Sequence, residues 1–244
     1  MISQHDFILL DGSGSMGSMW AEVLQSVNVY VQKLAHDNID TGVTVVVFDS
    51  LEPFKVLRDR ITPKTFKRLT NEDFMPRGMT PLNDATIDLI NLAERGAPWG
   101  GQYDRVCITI ATDGAENAST RHFGYQGTQL VRARLDTCRA KGWQVIYLGA
   151  NFDNTAQATS YGAAAHSTVS SVAGNLADTM FLNATKRGAY SLTGQNMVYS
   201  AEEKTAARAV GGLKAFVQAE QAKAADPADI SGQVVGDTTT NTSS

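Results

Sequence analysis

The stretch that decides the fold runs Phe7-Ile-Leu-Leu-Asp11-Gly-Ser13-Gly-Ser15-Met-Gly17. Its first four residues are all apolar, which is typical of a strand that is buried on both faces. The apolar run stops at a carboxylate and a glycine-rich loop, and apolar residues then recur at helical spacing over residues 19–34. The pattern therefore predicts a strand, a loop and a helix in that order.

The same alternation of strand and helix continues along the chain. Further apolar strands are predicted at residues 43–48, 106–111 and 144–148, with weaker extended stretches at 54–57 and 165–168. Helical spacing of apolar residues is found at 81–93, 128–140, 154–161 and 172–183. Apolar strands that alternate with amphipathic helices are typical of a parallel sheet covered on both faces. We therefore predict a doubly wound α/β fold.

Charge and composition exclude several classes of function. The chain has 244 residues with 21 Lys and Arg against 25 Asp and Glu, a formal net charge of −4. Binding to nucleic acid through phosphate contacts needs a basic surface, which this balance does not favour. No apolar run approaches the roughly 18 residues that a membrane span requires. The amino terminus lacks the pattern of a signal peptide, so we expect the cytoplasm or a virion as the location.

Neither the cysteines nor the histidines are spaced for soft-metal chemistry. Cys107 and Cys138 are far apart and fall in a predicted strand and helix, which indicates free thiols in a reducing compartment. The four histidines are scattered without a zinc-binding pair. A zinc site is therefore not expected.

Oxygen-bearing side chains, in contrast, gather where the predicted strands end. Asp11 and Asp113 each follow a strand, Ser13 and Ser15 lie in the first loop, and Thr80 precedes a helix. Ligands of open parallel sheets bind beyond the carboxyl ends of the strands. An all-oxygen set suits a hard cation such as Mg²⁺, with Mn²⁺ or Ca²⁺ as alternatives.

These residues resemble the three parts of the metal-ion-dependent adhesion site of von Willebrand factor A domains. The parts are Asp11-x-Ser13-x-Ser15, the Thr80 of Met-Thr-Pro-Leu, and Thr112-Asp113-Gly114. The longer ending Thr112-Asp-Gly-x-Glu-Asn117 resembles prokaryotic and bacteriophage members in particular. The resemblance covers about residues 4–183 and implies a mostly parallel six-stranded sheet flanked by helices.

The resemblance also implies roles for the five residues. Ser13, Ser15 and Thr80 would bind the metal directly, while Asp11 and Asp113 would act largely through water. A partner protein would donate an Asp or Glu to the metal, so the domain would be a binding module for assembly or adhesion and not an enzyme. Prokaryotic and phage members include partners of AAA+ ATPases and virion components.

Two enzymatic interpretations compete with this one. Gly12 to Gly17 matches the GxGxxG motif of dinucleotide-binding oxidoreductases, which expects an acid about 20 residues further on. Asp49 instead lies 32 residues after Gly17, and Asp11 would repel a pyrophosphate. A Mg²⁺-dependent hydrolase with Asp11 as nucleophile typically has a second carboxylate two residues later, where Ser13 stands.

Several nearby residues have a simpler structural interpretation. Thr80 before Pro81 is typical of a helix N-cap with proline in the first turn. Asp49, Asp84 and Glu116 are near the predicted site, but we expect solvent exposure on a helix or at a strand end for each.

The chain divides into a domain over residues 1–199 and a C-terminal extension over residues 200–244. Residues 200–225 predict one marginal helix with an apolar stripe, interrupted by Gly211 and Gly212, and the remainder is polar. We expect that helix to be stable only when docked, with a neighbouring copy or partner favoured over its own domain. The extension would then support homo-oligomerisation or assembly.

Overall fold

The protein is described by a computed structural model that covers residues 3–96, 101–150 and 155–224. Its centre is a six-stranded sheet in the order β3-β2-β1-β4-β5-β6. The strands are β1 (Gln4–Asp11), β2 (Gly42–Phe48), β3 (Lys55–Ile61), β4 (Arg105–Thr112), β5 (Gln144–Ala150) and β6 (Thr168–Ser171). All neighbouring strands are parallel except β2 and β3. The predicted doubly wound α/β fold with a mostly parallel six-stranded sheet is confirmed.

Helices cover both faces of the sheet. They are α1 (Trp20–His36), α2 (Leu82–Glu94), α3 (Gly124–Ala140), α4 (Thr155–Ser160), α5 (Leu176–Thr193), α6 (Ala201–Ala207) and α7 (Gly212–Ala224). One hydrophobic core lies under α1 and α5, and the other lies under α2 and α3. Because both faces are covered, every residue of β1 after Gln4 is buried. The uninterrupted apolar run of this strand is thereby explained.

The order of the strands fixes where a ligand site can form. From β1 the chain moves outward to β2 and β3, and it then returns beside β1 to build β4, β5 and β6 on the other side. The strand order therefore reverses between β1 and β4. The carboxyl ends of these two strands are Asp11 and Thr112, so the glycine-rich loop and the segment after β4 meet at this switch point.

Several predicted boundaries differ from the structure. Helix α3 begins four residues earlier than predicted, at Gly124, and the strand predicted at 165–168 is a 3₁₀ turn followed by β6. The helix predicted over 172–183 runs instead from Leu176 to Thr193. Its polar residues Thr179, Asn183 and Arg187 are buried, so the apolar pattern understates its length. Asn154, predicted as the start of α4, lies outside the described residues.

A buried ion pair joins α5 to the first strand. The guanidinium Nε of Arg187 donates to Asp6 Oδ1 at 2.7 Å, and both side chains are almost fully buried. Tyr30 and Thr41 each donate a hydroxyl to the same carboxylate at 2.7 Å. Asp6 is thus saturated with donors, as a buried carboxylate requires. The group lies at the amino-terminal end of β1, away from the predicted metal site.

The C-terminal extension corrects the sequence prediction in two ways. The single helix expected over residues 200–225 is two helices, α6 and α7, separated at Gly211 with its positive φ of 69°. Both pack on their own domain, whereas the sequence analysis favours docking on a neighbouring copy or partner. Ala207 and Leu213 are buried, whereas Val210 of the predicted apolar stripe is 85% exposed. The proposed domain boundary at residue 199 stays a prediction, and residues 225–244 lie outside the described part.

The buried side chain of Asn175 holds the extension in place. Its Nδ2 donates to the carbonyl of Ala207 at 3.0 Å, and its Oδ1 accepts from the N–H of Gly211 at 2.9 Å. The N–H of Val172, just after β6, also donates to the Ala207 carbonyl. The extension therefore satisfies backbone groups at the edge of the sheet.

No helix within the described residues is long and apolar enough to cross a membrane. Cys107 and Cys138 are both free and buried, as predicted.

Candidate functional site

The first loop turns sharply at the end of β1 and brings its hydroxyls back over the sheet. Residues Gly14–Met19 form a 3₁₀ helix that leads into α1. Gly12 is required here, since a Cβ at this position would lie 2.5 Å from the Phe74 ring and 2.7 Å from Val47. Asp11 and Ser13 are buried, whereas Ser15 is exposed. The loop therefore presents oxygen atoms from the protein interior outward to solvent.

A chain of hydrogen bonds joins four of the five predicted site residues. Asp11 Oδ1 accepts from the N–H of Ser13 at 2.9 Å. The hydroxyls of Ser13 and Ser15 are 3.1 Å apart, and Ser15 Oγ donates to Asp113 Oδ1 at 2.8 Å. The loops after β1 and β4 are thus connected through the side-chain oxygens of Ser15 and Asp113.

Thr112, which the sequence analysis noted only as part of the motif, positions the first carboxylate. Its hydroxyl donates to Asp11 Oδ2 at 2.7 Å and lies 3.0 Å from the carbonyl oxygen of Gly114. Asp11 therefore receives a donor on each oxygen, and its orientation is fixed from two sides.

Thr80 lies on the third loop, which is bound to the first through the backbone. The N–H of Gly14 donates to the carbonyl of Gly78 at 3.1 Å, and the N–H of Arg77 donates to the carbonyl of Gly12 at 2.9 Å. Thr80 itself is only 3% exposed. Its side chain forms no hydrogen bond within the part of the chain that the structure describes, so its hydroxyl remains available as a ligand.

The prediction that Thr80 caps α2 is wrong. The helix begins at Leu82, with Pro81 in the cap position and no side-chain cap. The N–H groups of the first turn have no partner within the helix and donate instead to side chains of the β4–α3 loop. The N–H of Asn83 donates to Glu116 Oε2 at 2.6 Å, and that of Asp84 donates to Ser119 Oγ at 3.0 Å. Glu116 and Ser119 of the β4–α3 loop therefore accept the N–H groups that a capping residue would otherwise accept.

Asn117 joins the third loop to the segment after β4, a role that sequence analysis did not assign to it. Its Oδ1 accepts from the N–H of Thr80 at 2.9 Å, and its own N–H donates to the Thr80 carbonyl at 3.1 Å. The sequence marks this asparagine only as the last residue of the Thr-Asp-Gly-x-Glu-Asn ending, and its contact with Thr80 spans 37 residues.

The expectation that Asp84, Asp49 and Glu116 are exposed to solvent is wrong for Asp84 and Asp49, which are buried, while Glu116 is half-buried. Asp84 is buried and accepts the backbone N–H groups of Thr120 at 2.9 Å and of His122 at 2.8 Å. Glu116 Oε1 accepts two further N–H groups in its own loop. These carboxylates fix the conformation of residues 113–123, which have no regular secondary structure before α3.

Asp49 has the equivalent role on the other side of the site. It is fully buried, its Oδ1 accepts the N–H of Leu51 at 2.7 Å, and its Oδ2 accepts Nε of Arg77 at 3.0 Å. Since Arg77 also binds the carbonyl of Gly12, Asp49 supports the first loop indirectly.

The two site carboxylates are electrostatically unfavourable when no cation is bound. Burial, with a smaller contribution from the charge of Asp113, raises the pKa of Asp11 to about 6 against the opposing hydrogen bonds from Thr112 and Ser13. Burial likewise raises the pKa of Asp113 above its usual range. A cation placed between these groups would relieve both effects.

The donor set fits a hard divalent cation. Within the described residues there is no cluster of three or more His, Cys, Asp or Glu side chains. The site instead combines two carboxylates with three hydroxyls, all oxygen, and two of the hydroxyls are within hydrogen-bond distance of each other. Such a set favours Mg²⁺, Mn²⁺ or Ca²⁺ over zinc or copper.

Comparison with known proteins identifies the fold. No protein-family model matches the sequence, and no curated protein is significantly similar to it. Among solved structures, proximal thread matrix protein 1 from the mussel byssus is 19% identical with a TM-score of 0.54, over 74% of this chain and 47% of that one. The chain thus spans about half the length of that protein.

Two bacterial structures are similar to the same extent. The vWF domain of the type V pili tip protein Mfa5 from Porphyromonas gingivalis is 12% identical with a TM-score of 0.54, over 80% of this chain and 98% of that one. The pilus adhesin SpaC from Lactobacillus rhamnosus GG is also 12% identical with a TM-score of 0.54, over 79% and 31% respectively. At these identities the comparison establishes the fold alone.

Proposed function

Since the chain has the von Willebrand factor A fold, we propose that it is a Mg²⁺-dependent protein-binding module without enzymatic activity. The observation that supports this function best is the continuous series of side-chain oxygens from Asp11 through Ser13 and Ser15 to Asp113. This series lies at the switch point of the sheet, where ligands of open α/β folds bind. Ser13, Ser15 and Thr80 would bind the metal directly, and Asp11 and Asp113 would act through water.

The proposed mechanism follows from the charge of these groups. Neutral hydroxyls neutralise little of the cation's charge, so the metal would remain attractive to an anion from outside. Ser15 is exposed and Asp113 is partly exposed, which leaves the outer side of the site open. An Asp or Glu of a partner protein would complete the coordination. The metal would supply electrostatic attraction for that carboxylate.

The glycines of the first loop favour this proposal over dinucleotide binding. Gly12 avoids a clash with protein side chains, and Gly17 has no atom within 4 Å of the position of a Cβ. In that motif the third glycine allows the helix to pack closely on the strand, and the open space around Gly17 shows no such packing. The hydrolase alternative would require Asp11 as nucleophile, yet Asp11 is 0% exposed and both of its oxygens accept hydrogen bonds.

The process in which the module acts is proposed from the fold neighbours. Mfa5 is described as a pilus tip protein and SpaC as a pilus adhesin, and both share the fold of this chain. We propose by analogy that the present protein acts in adhesion or assembly. Specifically, it would be a bacteriophage or virion component or a partner of an AAA+ ATPase.

Mn²⁺ titration followed by electron paramagnetic resonance tests the metal site, and retention of protein partners in Mg²⁺ against EDTA tests the function. Asp113→Asn should weaken Mn²⁺ binding and abolish Mg²⁺-dependent retention. The matched control is Asp40→Asn, since Asp40 is exposed and precedes β2 at the opposite end of the sheet. Equal Mn²⁺ affinity in all three proteins would refute the proposed site.

A further inference from the structure

A cleft of about 490 Å³ opens beside the proposed metal site, between the β4–α3 loop, the start of α3 and helix α4. The side chains that matter for its chemistry are Glu116, Asn117, Phe123, Tyr125, Gln129 and Gln157. Its volume is within the ~300–1,000 Å³ range of pockets that hold small organic groups. A bulky side chain with its adjoining backbone would fit there.

Two aromatic rings at this cleft face solvent. Phe123 is 70% exposed and Tyr125 is 78% exposed, and they flank Gly124 at the start of α3. Aromatic residues are enriched in the contact regions of protein interfaces, where they bury large areas with little loss of side-chain entropy. Neither ring belongs to a hydrophobic core cluster of the domain. Their placement at the rim of a concave surface indicates a ligand with an apolar part.

The charged side chain that lines the cleft is already fully hydrogen-bonded within the protein. Glu116 is the charged residue of the lining, and its carboxylate already accepts the N–H groups of Asn83, Ala118 and Ser119 together with the Ser119 hydroxyl. The remaining polar lining consists of amides and hydroxyls. Such groups suit the N–H and C=O groups of a peptide backbone, while an anionic group of the same ligand would be attracted to the metal.

Asn117 makes the cleft continuous with the metal site. It lines the cleft, and it is hydrogen-bonded to both the N–H and the carbonyl oxygen of Thr80. An extended peptide that places a carboxylate on the metal therefore reaches the cleft with residues close to that carboxylate.

We propose that the protein recognises a linear peptide segment in which the metal-binding Asp or Glu is accompanied, at a fixed short spacing, by a bulky apolar residue that packs against Phe123 and Tyr125. This proposal rests on the proposed function of the metal site. It adds that specificity among acidic partners comes from the cleft, because the metal distinguishes a carboxylate from other groups but not one acidic partner from another.

Selection from a displayed library of random linear peptides tests the proposal. The intact protein is immobilised in Mg²⁺, and bound peptides are eluted with EDTA. The variant is Phe123→Ser/Tyr125→Ser, and the control is Leu192→Ser. Leu192 is 77% exposed near the end of α5, where Arg105 at the start of β4 contacts the helix, so it lies at the end of the sheet opposite the site.

We expect the wild-type protein and Leu192→Ser to enrich peptides with an acid and an aromatic or aliphatic residue at one spacing. The double variant should still enrich the acid but lose the apolar preference. A synthetic peptide from the wild-type pool should bind the double variant at least about tenfold more weakly, as when a central aromatic contact is lost. Mn²⁺ affinity should be equal in all three proteins, which separates the cleft from the metal and confirms folding.

Two other outcomes would contradict the proposal, one for the cleft and one for the metal site. Acidic peptides without an apolar preference, or an unchanged preference in the double variant, would overturn the cleft as a recognition site and leave the metal function standing. If EDTA elutes no enriched peptides, the proposed metal-dependent function fails and the inference fails with it.

Discussion

Replacing Asp11 with asparagine separates the effect of its buried charge on stability from its proposed role in binding Mg²⁺. The amide has nearly the shape of the carboxylate, and its Oδ1 can still accept the N–H of Ser13. Its Nδ2 would donate to the hydroxyl of Thr112, which can keep its contact with the carbonyl oxygen of Gly114. The substitution therefore removes a buried charge while it preserves the local hydrogen bonds.

The magnitude follows from the pKa of Asp11, which burial raises from 3.8 to about 6. A shift of about two pH units corresponds to about 3 kcal/mol that the folded protein loses by ionising this group. Because the folded-state pKa is raised, this loss develops as pH rises from about 4 to about 6 and is complete above that range. In EDTA at pH about 7.5, Asp11→Asn should therefore be more stable by up to about 3 kcal/mol, or about 6–12 °C in melting temperature.

Magnesium should raise the melting temperature of the wild type but not that of Asp11→Asn. Binding to the native state alone raises the melting temperature by mass action, so the wild type should gain with Mg²⁺ and Asp11→Asn should not. Calorimetric melting in EDTA and in Mg²⁺, each at pH about 4 and about 7.5, measures both effects. If Asp11→Asn is less stable than the wild type in EDTA near neutral pH, the argument from buried charge is wrong. An equal Mg²⁺ response in both proteins would refute the role of Asp11 in the site.

Three further predictions address the site and its supports. Thr80→Ala should lower Mn²⁺ affinity by at least about tenfold and change stability by less than about 0.5 kcal/mol, since Thr80 is no cap; titration and melting check this. Arg187→Met should cost about 3–5 kcal/mol in urea unfolding because it leaves Asp6 buried and unpaired, and Asp6→Asn in the same chain should recover part of that loss. Truncation after Tyr199 should cost at least about 2 kcal/mol, since buried Leu213 is removed, yet leave Mn²⁺ affinity unchanged.

The sequence predicts the sheet well because burial on both faces leaves a simple signal. Strands β1, β2, β4 and β5 each contain a run rich in apolar residues, and each strand is buried along nearly its whole length. The ends of β1 and β4 can also be predicted from the sequence, since a carboxylate follows each apolar run. The positions of Asp11 and Asp113 beside one another then follow from the rule that ligand sites form at the strand ends of open sheets.

Buried polar residues, in contrast, cannot be predicted from apolar periodicity. Arg187 and Asn175 are fully buried, so α5 and its contact with the extension do not show an apolar pattern. The default for an acid such as Asp84 is exposure to solvent. Its partners are backbone N–H groups of a loop more than 30 residues further along, and a single sequence contains no signal for such a pairing.

The supporting carboxylates also explain how an irregular loop can serve a binding site. The β4–α3 loop contributes Asp113 to the proposed metal site and Asn117 and Phe123 to the cleft. Hydrogen bonds to Asp84 lower the pKa of that residue against the opposing effect of burial, so they favour the ionised carboxylate that accepts them. Together with Glu116, Asp84 fixes the loop before any partner arrives. The ordering of the loop is then complete in the free protein, and a peptide that binds both the metal and the cleft does not have to supply that free energy.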